Sequence, residues 1–177
     1  DFVAAIDGEG RHRWGPIAPC ARVEVELDRP GLRWQGSAYL DSNEGDEPIS
    51  EPFTTWDWMR VPLPDGSCAV VYDVGLKGGG ERTIARRFQP DGAVATLALP
   101  PRQGLGATGW GIGRRLRSEA AARVVETLED TPFYARSLVS TTLAGHAATG
   151  VHETLSAERF AAPWVQTLLP FRMPRRA

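Results

Sequence analysis

The sequence predicts an all-β domain, a barrel or sandwich of short antiparallel strands with one C-terminal helix. Three observations carry that prediction. Short runs of alternating or β-branched apolar residues recur through the chain, as expected of strands. Turn residues punctuate them at regular intervals, including Arg29-Pro30-Gly31, Pro64-Asp65-Gly66 and Pro90-Asp91-Gly92. Only one stretch, residues 156–169, has a convincing helical period.

In chain order, residues 1–20 read as a lead-in loop rich in Gly and Pro. Residues 22–27 alternate strictly, and residues 32–39 follow after a turn, so the two should pair as a hairpin. An acidic turn over residues 43–46 closes the second strand. Residues 53–61 carry Trp56 and Trp58 two apart, which puts both indoles on one strand face. Residues 68–74, with Val70, Val71 and Val74 around Tyr72, read as the buried strand. Residues 82–88 and 93–99 form a second hairpin signal.

Pro100-Pro101 marks a change of direction, with a possible internal boundary near residues 100–109. Beyond it, residues 110–116, 122–128, 134–143 and 150–155 read as strands. Residues 118–128 also suit a helix, because of their alanines and glutamates. Over residues 156–169, Ser156 can cap the helix, and Phe160, Trp164, Val165 and Leu168 share one face. Trp34, Trp56, Trp58, Trp110 and Trp164 are assigned to the core.

The chain has 177 residues, enough for a single β-rich unit spanning 1–177 with a core of its own. Its 42% hydrophobic and 24% charged content is that of a globular domain. A formal net charge of −2 argues against a dedicated nucleic-acid binder. Cys20 and Cys68 lack metal-type spacing and are read as free thiols. No apolar run approaches the ~20 residues of a membrane-spanning helix.

Several motifs fail on context. Residues 104–109 spell G-x-G-x-x-G, but Pro100 and Pro101 separate them from the preceding strand, and Gly111 and Gly113 would weaken a following helix. They are read as a loop. Asp41, Asn43 and Asp46 resemble a calcium loop, yet Gly45 and Pro52 fall at the wrong positions. His12, His146 and His152 are scattered, which excludes a sequence-local zinc site, and His146 and His152 are read as surface or hairpin histidines. What remains is a pair of i, i+2 pairs, His12 with Trp14 and Tyr39 with Asp41. Each couples an aromatic ring to a proton-carrying group; Tyr39 and Asp41 would share one side of a strand, and His12 and Trp14 repeat the spacing upstream. By residue type alone this set leaves a functional and a structural role equally open.

At these residues the chain resembles the carotenoid 1,2-hydratase, or hydroxyneurosporene synthase, family. The resemblance is carried by His12-Arg13-Trp14-Gly15-Pro16, by Tyr39-Leu40-Asp41-Ser42-Asn43-Glu44-Gly45-Asp46 and by Trp56-Asp57-Trp58. Residues 127–136 and 169–175 add two C-terminal blocks. The resemblance implies a lipocalin-like fold and the C-terminal portion of a longer two-domain protein. It implies a cofactor-free hydro-lyase that adds water to the terminal 1,2 double bond of acyclic carotenoids such as neurosporene and lycopene. It also implies peripheral contact with the cytoplasmic side of the inner or photosynthetic membrane, where such a substrate resides. His12, Trp14, Tyr39 and Asp41 match the residues to which the family's catalysis is attributed.

The chemistry that follows has Asp41 protonate carbon 2, with Trp14 and Tyr39 facing the resulting carbocation. A carboxyl can do so near neutrality if an apolar pocket raises its pKa. His12 would orient water, take its proton or return one to Asp41. Arg82, Arg86, Arg87, Arg114, Arg115 and Arg117 form a basic set read as a solvated face, with anionic headgroups as the alternative. Two other readings use the same residues: a non-catalytic carrier of apolar ligands, and a terpenoid isomerase or cyclase.

Overall fold

A computed structural model describes residues 2–171. The first three strands are β1 (Ala4–Ala5), β2 (His12–Leu27) and β3 (Leu32–Gly45), which form one antiparallel sheet in that order. β4 (Phe53–Pro62), β5 (Cys68–Leu76), β6 (Glu81–Phe88) and β7 (Val94–Thr96) follow as a meander. β8 (Arg102–Ala107) and β9 (Gly113–Arg117) make a separate hairpin. β10 (Arg123–Asp130), β11 (Tyr134–Leu143) and β12 (His146–Ser156) make a second meander. β12 then pairs with β4, and the two meanders become one seven-stranded sheet of order β10-β11-β12-β4-β5-β6-β7.

Alternation along the central strands gives this sheet two faces, and each has its own apolar cluster. Trp58, Val70, Tyr72, Ile84, Phe88 and Leu155 pack with Ile6 and Trp14 from the β1–β3 sheet. Met59, Val61, Ala69, Val71, Ala85 and Val139 pack with Leu116 from the β8–β9 hairpin. The result is a three-layer sandwich. β5 is buried from Cys68 through Val74 because both its faces are covered. A strand with one wet face shows alternation instead, as β11 does.

The all-β expectation holds, as do the hairpin over β2 and β3 and the buried strand over β5. Of the two forms foreseen, the molecule takes the sandwich; among the described residues no pairing closes a sheet into a barrel. The single C-terminal helix is corrected to two, α1 (Ala157–Phe160) and α2 (Pro163–Leu168). Pro163 lacks an N–H and sits in the first turn of the second helix, so it divides the run. Ser156 caps α1 as expected, its hydroxyl accepting from the Arg159 N–H at 3.3 Å.

Other differences follow from pairing. The lead-in loop becomes strand from His12 onward, and Pro16 and Pro19 are tolerated where the register shifts, at bulges that need no proline donor. The acidic turn is also strand as far as Gly45, since Asn43 pairs with Trp14 and Gly45 with His12. Gly104 and Gly106 lie in β8 instead of a loop, with a register shift between Gly104 and Ala107. Residues 118–128 resolve as mostly strand, within β10.

Trp34, Trp110 and Trp164 are about half exposed and so leave the core. His152, read as a surface histidine, is fully buried. Of the six arginines in the basic set, Arg114 and Arg117 turn inward, the first to Thr127 and Ser137 and the second to Asp73. The C-terminal block at residues 169–175 lies outside the described residues beyond Phe171.

Candidate active site

The β2–β3 register brings the sequence-predicted residues onto the side facing the central sheet. The Trp14 indole N–H donates to the Tyr39 hydroxyl at 3.1 Å and to Asp41 Oδ2 at 2.9 Å. The Tyr39 hydroxyl donates to the same Oδ2 at 3.0 Å. Two donors therefore converge on one carboxyl oxygen and fix the plane of the group. Oδ1 of Asp41 receives no hydrogen bond from any described residue.

Trp14 has no solvent exposure; Phe2, Tyr72 and Phe88 meet it edge-on, with centroids 5.8–6.1 Å away. Its contribution to Asp41 runs through the N–H, because both faces of the ring are packed.

His12 lies on the same strand face but is committed elsewhere. Its Nδ1 is 3.0 Å from Asp7 Oδ2, and its Nε2 is 3.0 Å from the Glu47 carbonyl oxygen. Phe53 packs edge-on against the imidazole at 5.1 Å. Gly45 is required opposite it, because a Cβ there would sit 2.8 Å from His12 Cδ2. Three of the four predicted residues thus form one hydrogen-bonded unit, and His12 braces the strand end beside it.

Tyr39 and Asp41 border a cavity of about 250 Å3 between β3 and the central sheet. Its other walls are Asn43, Trp56, Trp58, Tyr72, Arg136 and Glu153. Four of these are successive cross-strand neighbours: Arg136 opposes Glu153, Glu153 opposes Trp58, and Trp58 opposes Tyr72. A single row across four strands therefore supplies a cation, a carboxylate and two aromatic rings. Tyr39 lies 5.1 Å from the Trp58 ring, and the Arg60 guanidinium stands 5.9 Å from the Tyr39 centroid. The Trp58 indole N–H is buried with no partner among the described residues.

Electrostatics separate the groups. Burial, and then the charge of Asp41, push the Tyr39 hydroxyl well above the usual tyrosine range. Burial, then Asp41 and then Glu153, do the same to Tyr72. Both phenols remain proton donors across the whole working range of pH. The carboxyl raised to about 6 by burial is Asp57, although the Thr154 hydroxyl and Arg115 pull it down. Asp57 sits between Trp56 and Trp58 in sequence and therefore on the opposite face, against β9.

Tyr72, Arg136 and Glu153 were not foreseen as site residues, and Trp56 and Trp58 were assigned to the core. The i, i+2 spacing of the two tryptophans was a usable signal for a shared face. Nothing local pairs Glu153 with Trp58, ninety-five positions earlier in the chain (153 against 58). Among the described residues no cluster of three or more His, Cys, Asp or Glu side chains could hold a metal ion. No described helix is long and apolar enough to cross a membrane.

The model of the carotenoid hydratase CrtC family matches residues 1–177. The acyclic carotenoid 1,2-hydratase of Rubrivivax gelatinosus is 57% identical over 178 residues, covering 99% of this chain and 44% of that protein. Its counterpart in Thiocapsa roseopersicina is 55% identical over 173 residues, covering 96% of this chain and 42% of its own length. The counterpart in Cereibacter sphaeroides is 34% identical, with 99% and 63% covered. The chain therefore spans less than half the length of the first two relatives. Among solved structures, one described as AttH from Nitrosomonas europaea superposes with a TM-score of 0.55 at 17% identity, covering 88% of this chain and 58% of that one. That likeness concerns the fold alone.

Proposed function

The chain belongs to the carotenoid hydratase CrtC family, and from that membership we propose that it houses the active site of a whole protein that hydrates acyclic carotenoids. The reaction adds water across the terminal 1,2 double bond of a substrate such as neurosporene or lycopene and leaves a tertiary 1-hydroxy group. The observation that carries this reading is the Trp14–Tyr39–Asp41 unit at the wall of an aromatic cavity. A proton on Asp41 Oδ1 would pass to carbon 2, and the positive charge would develop on carbon 1. General acid catalysis of this kind is worth about 10²–10⁴-fold.

The rings that border the cavity, Tyr39 and Trp58 foremost, would stabilise the cation, each by about 0.5–2 kcal/mol. Trp14 and the Tyr39 hydroxyl hold the donor in place. His12, with both ring nitrogens engaged, would act by bracing the end of β3. A proton donor and a proton acceptor suffice for this chemistry, so no cofactor enters the scheme.

A cavity of about 250 Å3 falls just below the ~300–1,000 Å3 usual for small-molecule clefts. It has room for the end of a polyene, and the rest of the substrate would extend beyond it. Such a substrate resides in a bilayer, so we place the whole protein at the cytoplasmic face of that membrane, in peripheral contact.

The test is to incubate the whole protein with lycopene in 18O-labelled water. The expected result is label in a 1-hydroxy product, lost in Asp41→Asn while carotenoid binding persists. Binding without any product would identify a carrier. A product isomeric with the substrate and free of label would identify an isomerase or cyclase.

A further inference from the structure

Hydration needs a proton acceptor as well as a donor, because the water that captures the cation must lose a proton as its oxygen bonds to carbon 1. Few candidates border the cavity. Tyr39 and Tyr72 keep their protons, and His12 is not in the wall. The Asn43 side-chain oxygen accepts from the Tyr72 hydroxyl at 3.4 Å and has no basicity to offer. Arg136 is a cation. Among the described residues that line it, Glu153 is the one carboxylate besides Asp41, and Asp41 is positioned on the other wall to serve the neighbouring carbon.

Its placement is built. Arg136 Nε donates to Glu153 Oε1 at 2.8 Å and orients the carboxylate beside Trp58, its cross-strand neighbour. Glu153 and Asp41 approach from different layers, one on β12 and the other on β3, and the charges of both act on the Tyr72 hydroxyl. Acid and base on opposing walls suit the addition of a proton and a water oxygen to adjacent carbons.

We propose that Glu153, oriented by Arg136, is the general base that deprotonates the attacking water. This rests on the hydratase reading above. The Asp41 proton forms the C–H bond at carbon 2 using the π electron pair of the alkene. A water lone pair forms the C–O bond at carbon 1, and the Glu153 carboxylate takes the released proton. Exchange through cavity solvent returns one proton from Glu153 to Asp41, so the net change is one water added and the enzyme restored.

The experiment compares wild type, Asp41→Asn, Glu153→Gln and Glu153→Ala in the whole protein, with lycopene and with or without sodium azide. Glu153→Gln keeps an acceptor for Arg136 and the side-chain shape while removing the basicity. Hydration should fall about 10²–10⁴-fold in both Glu153 variants. Azide needs no deprotonation to capture a cation. In Glu153→Ala it should restore turnover and yield a 1-azido product, but not in Asp41→Asn, where no cation forms. Full hydration by Glu153→Gln, or loss of activity in Glu153→Ala that azide leaves unrepaired, overturns the assignment. If wild type itself forms no hydroxylated product, the hydratase reading fails instead, so the two failures are distinct.

Discussion

The two faces of the seven-stranded sheet carry the same kinds of residues and put them to different uses. On β4 the indoles of Trp56 and Trp58 face the β2–β3 layer, and Asp57 between them faces the β8–β9 hairpin. On β5 Tyr72 faces one way and Asp73 the other; on β12 Glu153 and His152 divide likewise. Beside its apolar cluster, the second face carries a polar clasp. Asp57 Oδ1 accepts from the Thr154 hydroxyl at 2.6 Å, and Oδ2 lies 3.4 Å from Arg115 Nε. Asp73 holds Arg117 at 2.9 Å, with Thr83 also bonded to it. His152 Nε2 meets the Arg115 carbonyl at 2.7 Å.

That contrast separates a perturbed group from an accessible one. Asp57 has the raised carboxyl pKa that an alkene-protonating acid would want, but its neighbours are all protein and it fastens β9 to the sheet. Asp41 has an oxygen without a partner among the described residues, at the wall of a cavity. Access decides which carboxyl can meet a substrate.

The largest effect should come from exchanging the two carboxyls for amides in turn. Asp41→Asn should lower hydration about 10²–10⁴-fold with little change in melting temperature. Asp57→Asn should leave turnover within a few-fold of wild type. Rates and melting curves for both variants check this, and the reverse pattern would break the comparison.

The pH dependence of stability sharpens it next. Asp57, raised by burial to about 6, favours folding while neutral; that contribution is full below about 3.8 and is lost as pH rises through 6. His152, lowered by burial to about 4, also favours folding while neutral. Its contribution is full above 6.5 and is lost as pH falls through 4. Each is worth about 3 kcal/mol, with opposite sign between pH 4 and 6.5. In urea titrations the wild type should therefore change little from this pair. Asp57→Asn should lose stability as pH falls across that window, and His152→Gln should gain it.

A smaller effect tests the join that both faces share. At Gly150 on β12, an added Cβ would lie 2.7 Å from the Arg60 carbonyl oxygen and 2.8 Å from Val61 Cγ2. Gly150→Ala should cost about 1–3 kcal/mol, read from the denaturation midpoint. Unlike the carboxyl variants, it should lower stability and activity together, because the β12–β4 pairing aligns Glu153 with Trp58.

Part of the candidate site was legible because it is local. Tyr39 and Asp41 are an i, i+2 pair at the end of a strand the sequence predicts, so alternation aims both one way. His12 and Trp14 share the spacing but lie in what reads as a loop, and the β2–β3 register puts them on a strand beside that pair. The direction of Trp56 and Trp58 was legible by alternation too. What covers that direction was not. Trp34 alternates as a core residue should, yet its part of the β2–β3 ribbon has no third layer over it among the described residues, and it stays exposed. His152 was read as a surface residue on a strand whose far face turns out to lie beneath β9.

The sequence by itself determined the all-β class, most of the strands and the shared direction of Tyr39 and Asp41, since these depend on spacing and short-range pairing. Only the tertiary structure decided that β12 joins β4, that Glu153 and Arg136 complete the cavity, and that His12 turns away from it. Those outcomes depend on strands far apart in sequence finding a register, and on which layer closes over each face. Residue order alone does not encode burial from a distance; the folded layers impose it.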